Sequence, residues 1–98
     1  MRPPDFDRWD RTPVHAQIEA WLREAIGRWL DGYDDPEFPV DKRRRIPTED
    51  WLVGQFHVDE RDGGRNSLRE ALRAIRDDGI VTTLPGKGTY IDGERRQP

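Results

Sequence analysis

Four arginines and a lysine in the last third of the chain have the types and spacing of groups that bind a polyanion. The arginines are spaced four, four and three residues apart, which places them within an arc of about 80° on a helix: Arg65, Arg69, Arg73 and Arg76. A guanidinium group can bond both O6 and N7 of guanine or clamp a phosphate, and residue type alone does not choose between these contacts. Lys87 stands between two glycines, which let the backbone come close to a phosphate. This combination predicts contact with a DNA duplex.

A helix and a hairpin are predicted to hold these cations side by side. The helix covers about residues 65–78 and stops at Gly79, and its apolar residues share an arc of about 100° that faces the core: Leu68, Ala71, Leu72 and Ile75. The β-branched or aromatic runs 80–84 and 89–91 meet at Pro85-Gly86-Lys87-Gly88. Such a pattern indicates a hairpin with a cationic tip.

Two further helices are predicted nearer the N-terminus. The first starts at Thr12 and Pro13, a hydroxyl cap followed by proline, and carries apolar residues at spacings of three and four: Val14, Ile18, Trp21, Leu22, Ala25, Ile26, Trp29 and Leu30. Thr48 is the expected cap of a short second helix over residues 49–56, whose first turn holds two acids that suit the helix dipole. Residues 31–47 are interpreted as a loop with a short extended piece near 38–40.

The rest of the chain is predicted to lie outside regular structure. Residues 57–64 are interpreted as a polar break that ends in two glycines. Residues 1–11 are expected to form a flexible arm and residues 92–98 a mobile tail, so the folded domain is predicted to cover residues 12–91. A length of 98 residues suits one small domain with one modest hydrophobic core.

Composition and charge limit the classes of function. The net charge is −3, but residues 61–98 hold eight Lys and Arg against six acids, whereas residues 1–41 hold five against ten. The acidic excess can therefore face away from a polyanion. Cysteine is absent, His15 and His57 have no second ligand at metal spacing, and no carboxylate pair stands out, so we expect no metal, no cofactor and no enzyme activity. Since no apolar run suits a membrane span or a signal peptide, we expect a cytoplasmic location.

The order of the predicted elements resembles a winged helix-turn-helix, an α+β fold of three helices and a C-terminal β-hairpin wing. More closely, three stretches resemble the DNA-binding domain of the GntR family of bacterial transcription regulators: TPVHAQIEAWLREAI, IPTEDWLVGQF and RNSLREALRAIRDDGIVTTLPGKGTYI. The resemblance covers about residues 12–91. Its last stretch is the specific part, because an Arg-x-Ser-hydrophobic-Arg-Glu-Ala-Leu helix followed by Gly-x-Gly-Thr is hard to produce by chance.

The resemblance implies a DNA-binding surface at the matching positions. The first turn of the third helix matches the start of the family's recognition helix, whose side chains enter the major groove. The glycines around Lys87 match the wing tip, which is expected against the minor groove or its phosphate rims, and Thr48 is placed to contact a phosphate. The residues expected to bind DNA are Thr48, Glu49, Arg65, Asn66, Ser67, Arg69, Arg73, Gly86, Lys87 and Gly88.

Three features depart from the family pattern. Asp50 stands where members usually have an arginine that contacts DNA, so one expected contact is replaced by a repulsive group. The turn before the third helix lacks the usual glycine at His57 and is lengthened by DERDGG. The loop over residues 31–47 is also longer than the usual link. We therefore expect an unusual angle between the second and third helices.

The combined observations predict a sequence-specific regulator of transcription that binds double-stranded DNA. The expected form is a small repressor without an effector domain, which binds a two-fold symmetric site as a homodimer, at least on DNA, and is associated with the bacterial nucleoid when bound. One alternative is a phage or plasmid architectural factor of the excisionase type. Another is a winged-helix protein-interaction module that has lost DNA binding, which the acidic composition motivates.

The individual cations also have alternatives that involve no DNA. Each arginine of the third helix can be a solvated side chain paired with Glu70, Asp77 or Asp78, and Lys87 can be an ordinary turn residue. The run from Lys42 to Arg45 can be a hydrated loop or a contact to the phosphate backbone.

Overall fold

The computed structural model describes residues 5–6, 12–58 and 64–96, with residues 5–6 and 57–58 described as backbone only. The elements in chain order are β1 (Asp5–Phe6), α1 (Val14–Leu30), α2 (Glu49–Gln55), β2 (His57–Val58), α3 (Arg65–Asp77), β3 (Val81–Leu84) and β4 (Gly88–Ile91). The three helices and the β3–β4 hairpin form a winged helix-turn-helix, which confirms the predicted fold class. Within the described residues, no helix combines the length and the apolar character that crossing a bilayer requires.

Helix α1 contributes seven buried residues to the hydrophobic core. Its buried residues all lie on the stripe that the spacing predicted: Val14, Ile18, Trp21, Leu22, Ala25, Ile26 and Trp29. Trp21 makes edge-to-face contacts with Phe38 and Phe56, with ring centroids 5.7 and 5.8 Å apart. Aromatic rings favour this arrangement because the positive edge of one ring meets the negative face of the other. The tryptophans of α1 are therefore core residues, as predicted.

The start of α1 differs from the prediction. Pro13 occupies the capping position with a φ of −56° and a ψ of 148°, and no side chain caps the helix. The Pro13 carbonyl accepts hydrogen bonds from the backbone N–H groups of Ala16 and Gln17 at 3.0 and 3.1 Å. The prediction that Thr12 caps α1 was wrong, because the extended ψ of Pro13 moves the first helical residue to Val14.

Helix α2 begins where the sequence predicted. The Thr48 side chain accepts a hydrogen bond from the Trp51 backbone N–H at 3.2 Å, and the Thr48 backbone is extended. Glu49 and Asp50 occupy the first turn, where the helix dipole favours negative charge. Because Leu52 is fully buried, α2 is anchored to the core, with Asp50 exposed and Glu49 partly buried in its first turn.

A short parallel strand pair links the N-terminal segment to the chain after α2. Asp5 pairs with His57 and Phe6 with Val58. The sequence predicted no strand in either segment, since two residues are too few to show alternation. The other residues of the predicted arm and break, 1–4, 7–11 and 59–63, lie outside the described residues. The flexibility of the arm stays a prediction.

The wing is an antiparallel hairpin closed by a proline-glycine turn. Strands β3 and β4 pair from Val81 opposite Ile91 to Leu84 opposite Gly88. The Lys87 N–H donates to the Leu84 carbonyl at 3.0 Å. Gly86 has a φ of 75° directly after Pro85, which is the pattern of a type II turn and is adopted by glycine at little cost. The turn therefore presents Lys87 at the tip, as predicted.

The loop between α1 and α2 pairs with the outer strand of the wing. Ile46 N–H donates to the Thr89 carbonyl at 2.9 Å and Ile91 N–H donates to the Arg44 carbonyl at 2.8 Å, around a bridge between Arg45 and Tyr90. The sequence analysis placed an extended piece near residues 38–40 and did not predict this bridge at Arg45. The bridge depends on pairing with β4, which is far away in sequence, so no pattern within the loop indicates it.

The C-terminal tail folds back onto the end of α1. The Arg95 side chain donates to the Trp29 carbonyl at 2.7 Å, its guanidinium lies 4.7 Å from the centre of the Trp29 ring, and it pairs with Asp34 at 2.6 Å. The Arg96 N–H donates to the Leu30 carbonyl at 2.6 Å. Carbonyls in the last turn of a helix have no partner within the helix, so they are available to these donors. The tail was predicted to be mobile, whereas residues 95–96 have defined partners.

We predict that replacing Gly88 by alanine destabilises the protein. A Cβ atom at Gly88 would stand 2.8 Å from Cδ of Arg45, and the φ of 135° is one that L-residues rarely adopt. Strain of this kind costs about 1–3 kcal/mol of unfolding free energy, which urea denaturation measures. Gly27→Ala is the matched control: its Cβ would meet nothing within 4 Å, and alanine in a helix should add about 0.5–1 kcal/mol. Equal stability of Gly88→Ala and the wild type would contradict the prediction.

Candidate nucleic-acid interface

Helix α3 buries its apolar residues and leaves its arginines outside, as the spacing predicted. The fully buried residues are Leu68, Ala71 and Ile75, and this side of the helix packs along α1. The exposed arginines are Arg69, Arg73 and Arg76, and Arg65 is half-buried. Gly64 occupies the capping position with a φ of 83°, and its carbonyl accepts a hydrogen bond from the Leu68 N–H at 2.9 Å. The helix therefore starts at Arg65 with its cationic face toward solvent.

Two acidic side chains of α2 and two arginines of α3 form ion pairs that join the starts of these helices. Arg65 contacts Glu49 at 2.7 Å and Asp50 at 2.8 Å through its two terminal nitrogens. Arg69 binds the same Glu49 carboxylate, with Nη2 3.1 Å from Oε1 and Nε 3.2 Å from both oxygens. We call these four residues the Glu49–Asp50–Arg65–Arg69 network. Its two carboxylates balance its two guanidinium groups, so the start of α3 is close to neutral.

The acids that the sequence suggested as partners for these arginines lie elsewhere. Asp78 pairs with Arg23 of α1, and Glu70 lies 3.6 Å from His15. The suggested pairing of Arg65 and Arg69 with acids of their own helix was therefore wrong. Arg65 and Arg69 pair instead with two acids of α2, because the first turn of α2 lies beside the first turn of α3.

The network sets the protonation of Glu49. Partial burial raises the pKa of the Glu49 carboxyl, but the hydrogen bonds from Arg69 and Arg65 lower it by more, so the net pKa lies below its usual range. The hydrogen bond to Glu49, followed by that to Asp50, raises the pKa of the Arg65 guanidinium. Both groups are therefore charged at neutral pH.

We predict that Glu49 contributes stability that depends on pH. Because its pKa is lower in the folded than in the unfolded chain, the contribution is complete above the unfolded value of about 4.3 and is lost as the pH falls through the folded pKa. Glu49→Gln should therefore lower Tm at neutral pH, and its difference from the wild type should shrink toward about pH 3. Circular dichroism melts measure this difference, with Glu24→Gln on exposed α1 surface as the control. A difference that stays constant with pH would contradict the prediction.

A groove separates the wing from the helices. It has a volume of about 320 Å³ and is bordered by the start of α2, the side of α3 and the wing tip, including Thr48, Glu49, Leu72, Gly86, Lys87 and Gly88. A neighbouring depression of about 280 Å³ is lined by Arg69, Arg73 and Arg76 together with Glu49 and Thr83. The wing tip and the arginine face of α3 therefore border one continuous surface, as predicted.

Four further residues predicted to contact DNA lie at the edge of this surface or on α3. Thr48 lies at its edge, and its hydroxyl oxygen accepts the Trp51 N–H while its hydrogen can still be donated to a phosphate. Asn66 is exposed and Ser67 is half-buried in the first turn of α3. Arg73 lies farther along the helix. Contact of these residues with DNA stays a prediction.

One arginine of the basic loop over residues 42–45 lies beside the wing tip, a position that the sequence did not predict. The Asp41 carboxylate accepts the N–H groups of Arg43 and Arg45 at 2.8 and 2.9 Å, and the Arg45 side chain lies 3.2 Å from the same carboxylate. Through its pairing with β4, Arg45 lies beside the wing tip, with Nη1 3.4 Å from the Lys87 carbonyl. No local sequence signal indicates this proximity, because it depends on pairing between distant segments.

Known proteins share both the sequence pattern and the fold. The family model of bacterial regulatory proteins of the gntR family matches residues 43–91, half of the chain. The chain belongs to the gntR family. The matched segment runs from the basic loop to the end of the wing, so it contains every residue predicted to bind DNA. The predicted family is confirmed, because the chain carries the pattern of these bacterial regulatory proteins over residues 43–91.

Two individual proteins are similar to this gntR-family chain. The mannosyl-D-glycerate transport/metabolism system repressor MngR of Escherichia coli (strain K12) is 30% identical over 83 residues, which cover 85% of this chain and 29% of that protein. The chain thus spans about 29% of the length of this curated relative. The crystal structure of AraR(DBD) in complex with operator ORE1 has a TM-score of 0.52 and 23% identity, with 94% of each chain covered. The second likeness shows that the fold is shared.

Proposed function

We propose that this gntR-family protein is a repressor that binds a two-fold symmetric operator as a homodimer and so blocks access of RNA polymerase to a promoter. The observation that carries the proposal is the exposed arginine face of α3 beside the cationic wing tip. Two comparisons add support, since the similar MngR is named a repressor and the AraR domain of similar fold was crystallised with its operator. No catalytic step forms part of this function.

In the proposed complex, α3 enters the major groove and the wing follows the adjacent phosphates. Arg65, Asn66, Ser67 and Arg69 face base edges, since the first turn of a recognition helix reaches deepest into the groove. Arg73 and the Thr48 hydroxyl contact phosphates along the flanks. The wing tip brings Lys87 to the minor-groove side, where the two glycines allow a close backbone approach.

Binding requires the Glu49–Asp50–Arg65–Arg69 network to rearrange. Each guanidinium has more donors than its present carboxylate contacts use, so it can keep one bond to Glu49 or Asp50 and offer the others to DNA. The carboxylates then orient the arginines and offset the entropy lost when long side chains become fixed. Glu49 therefore acts through Arg65 and Arg69 as a positioning residue.

A homodimer explains how a domain of this size reaches useful specificity. One recognition helix reads only a few base pairs, whereas two helices related by a two-fold axis read half-sites about one helical turn apart, roughly 34–36 Å. We propose that the protomers associate through α1 or on the DNA itself, and that the protein acts at the nucleoid in the cytoplasm without a small-molecule effector bound by this domain. Sedimentation with and without operator DNA distinguishes the two routes to the dimer.

Selection of bound fragments from random duplex DNA tests the proposed function. The purified protein is used at near-physiological salt, with the double variant Arg65→Ala/Arg69→Ala as the comparison. We expect an enriched palindrome with the wild type and its loss with the double variant. Absence of enrichment at every salt concentration would reject the DNA-binding function and favour a protein-interaction module. Enrichment of bent, non-palindromic sites would instead favour the architectural alternative.

A further inference from the structure

Asp50 is the most exposed member of the Glu49–Asp50–Arg65–Arg69 network. Its side chain is 85% exposed at the second position of α2, whereas that of Glu49 is 30% exposed and is bound by both arginines. One Asp50 oxygen, Oδ1, lies 2.8 Å from Nη2 of Arg65. The other oxygen, Oδ2, has no partner among the described residues. Within the described part of the chain, Asp50 therefore presents an exposed hydrogen-bond acceptor beside the first residue of α3.

A carboxylate at this place does not suit a phosphate contact. Like charges repel, and a surface that only neutralises phosphates would carry a cation here. The two guanidinium groups of the network offset its two carboxylates, so Asp50 can approach DNA as part of a neutral cluster. Water can donate to the exposed Oδ2 in the free protein, and an interface that removes this water must supply another hydrogen-bond donor. On DNA, donors in the major groove are the exocyclic amino groups of cytosine and adenine.

The base edges distinguish between these two donors. Adenine presents its N6 amino group next to the acceptor N7 and is matched by a side chain with both an acceptor and a donor, whereas cytosine presents its N4 amino group alone and is matched by a single carboxylate oxygen. We infer that Asp50 is a specificity-determining residue that accepts a hydrogen bond from the N4 amino group of a cytosine in the operator, while Arg65 stays bound to its other oxygen. This inference rests on the proposed DNA-binding function.

Selection from random duplex DNA with wild type, Asp50→Ala and Asp50→Asn tests the inference. Asp50→Ala should remove the preference for cytosine at one position of each half-site, weakening binding of the cytosine-containing operator by about 5- to 150-fold per contact. Asp50→Asn keeps an oxygen that can hold Arg65 but adds donors, so the same position should change from cytosine to adenine. The other positions of the site should stay as in the wild type.

The outcomes separate direct contact from the alternatives. If Asp50 only positions Arg65, Asp50→Asn retains cytosine while Asp50→Ala alters the site, and the inference is overturned. The inference is also overturned if all three proteins select the same site. If the wild type selects no site, the proposed function itself fails, and the inference fails with it.

A matched control covers general effects of removing a carboxylate. Asp77→Ala changes an exposed aspartate at the far end of α3, which lies about 18 Å along the helix from Arg65. It should select the wild-type site. Since Asp50 is exposed and lies outside the core, both Asp50 variants should retain the wild-type circular dichroism spectrum and Tm within a few degrees. A change of site with Asp77→Ala equal to that with Asp50→Ala would overturn the inference.

Discussion

Replacing Leu68 by alanine is expected to lower the free energy of unfolding by about 2–5 kcal/mol. Leu68 is fully buried on the face of α3 that packs against α1, so the change removes buried methyl groups and leaves a cavity among core residues that can close only in part. Small domains have only about 5–15 kcal/mol of stability in total. The expected loss is therefore a large fraction of the whole.

The wing offers a control of identical chemistry for Leu68→Ala. Leu84 is 43% exposed at the end of β3, and Leu84→Ala should change the stability by less than about 1 kcal/mol. Urea denaturation followed by circular dichroism measures both variants under one set of conditions. Losses of equal size at the two positions would mean that α3 does not anchor the core in the way its burial indicates.

Periodicity predicted the helices well because it reports a property of each segment by itself. The apolar stripes of α1 and α3 become their buried faces with no position misplaced, and Leu30 and Leu72 lie at the edges of the stripes as partly buried residues. The Thr48 cap was also predicted correctly, because it depends on a hydrogen bond over three residues. Thr12 was misassigned since the choice between it and Pro13 depends on one backbone angle.

Three features that the sequence did not predict depend on contacts between distant segments. The Glu49–Asp50–Arg65–Arg69 network joins side chains of two helices whose relative angle no local pattern encodes. Arg45 reaches the wing tip only because the loop pairs with β4. Arg95 belongs to the tail that was predicted to be mobile. It is held there by the carbonyl and the ring face of Trp29 and by the carboxylate of Asp34. Each of these contacts changes where charge lies on the molecule.

Replacing Arg69 by alanine is expected to reduce affinity for the selected operator by about 5- to 150-fold per protomer if the guanidinium reads a guanine. Arg69 is exposed in the first turns of α3, and Glu49 holds its guanidinium by three contacts of 3.1–3.2 Å. An arginine fixed in this way loses less conformational freedom on binding. Arg96→Ala is the matched control, because that side chain is 82% exposed in the tail and should not change affinity.

Fluorescence anisotropy with operator and scrambled duplexes then shows which group Arg69 contacts. A base contact predicts loss of affinity for the operator alone, with little change in the dependence on salt. A phosphate contact predicts equal loss on both duplexes and a slope of log K against log salt that is smaller by about 0.9 per contact. Lys87→Ala provides the reference for the second pattern, since its ammonium at the wing tip is expected to meet only phosphates. If Arg69→Ala matches Lys87→Ala in both respects, Arg69 clamps the backbone, and base contacts are left to the other residues proposed to face bases, among them Arg65 of α3 and Asp50 of α2.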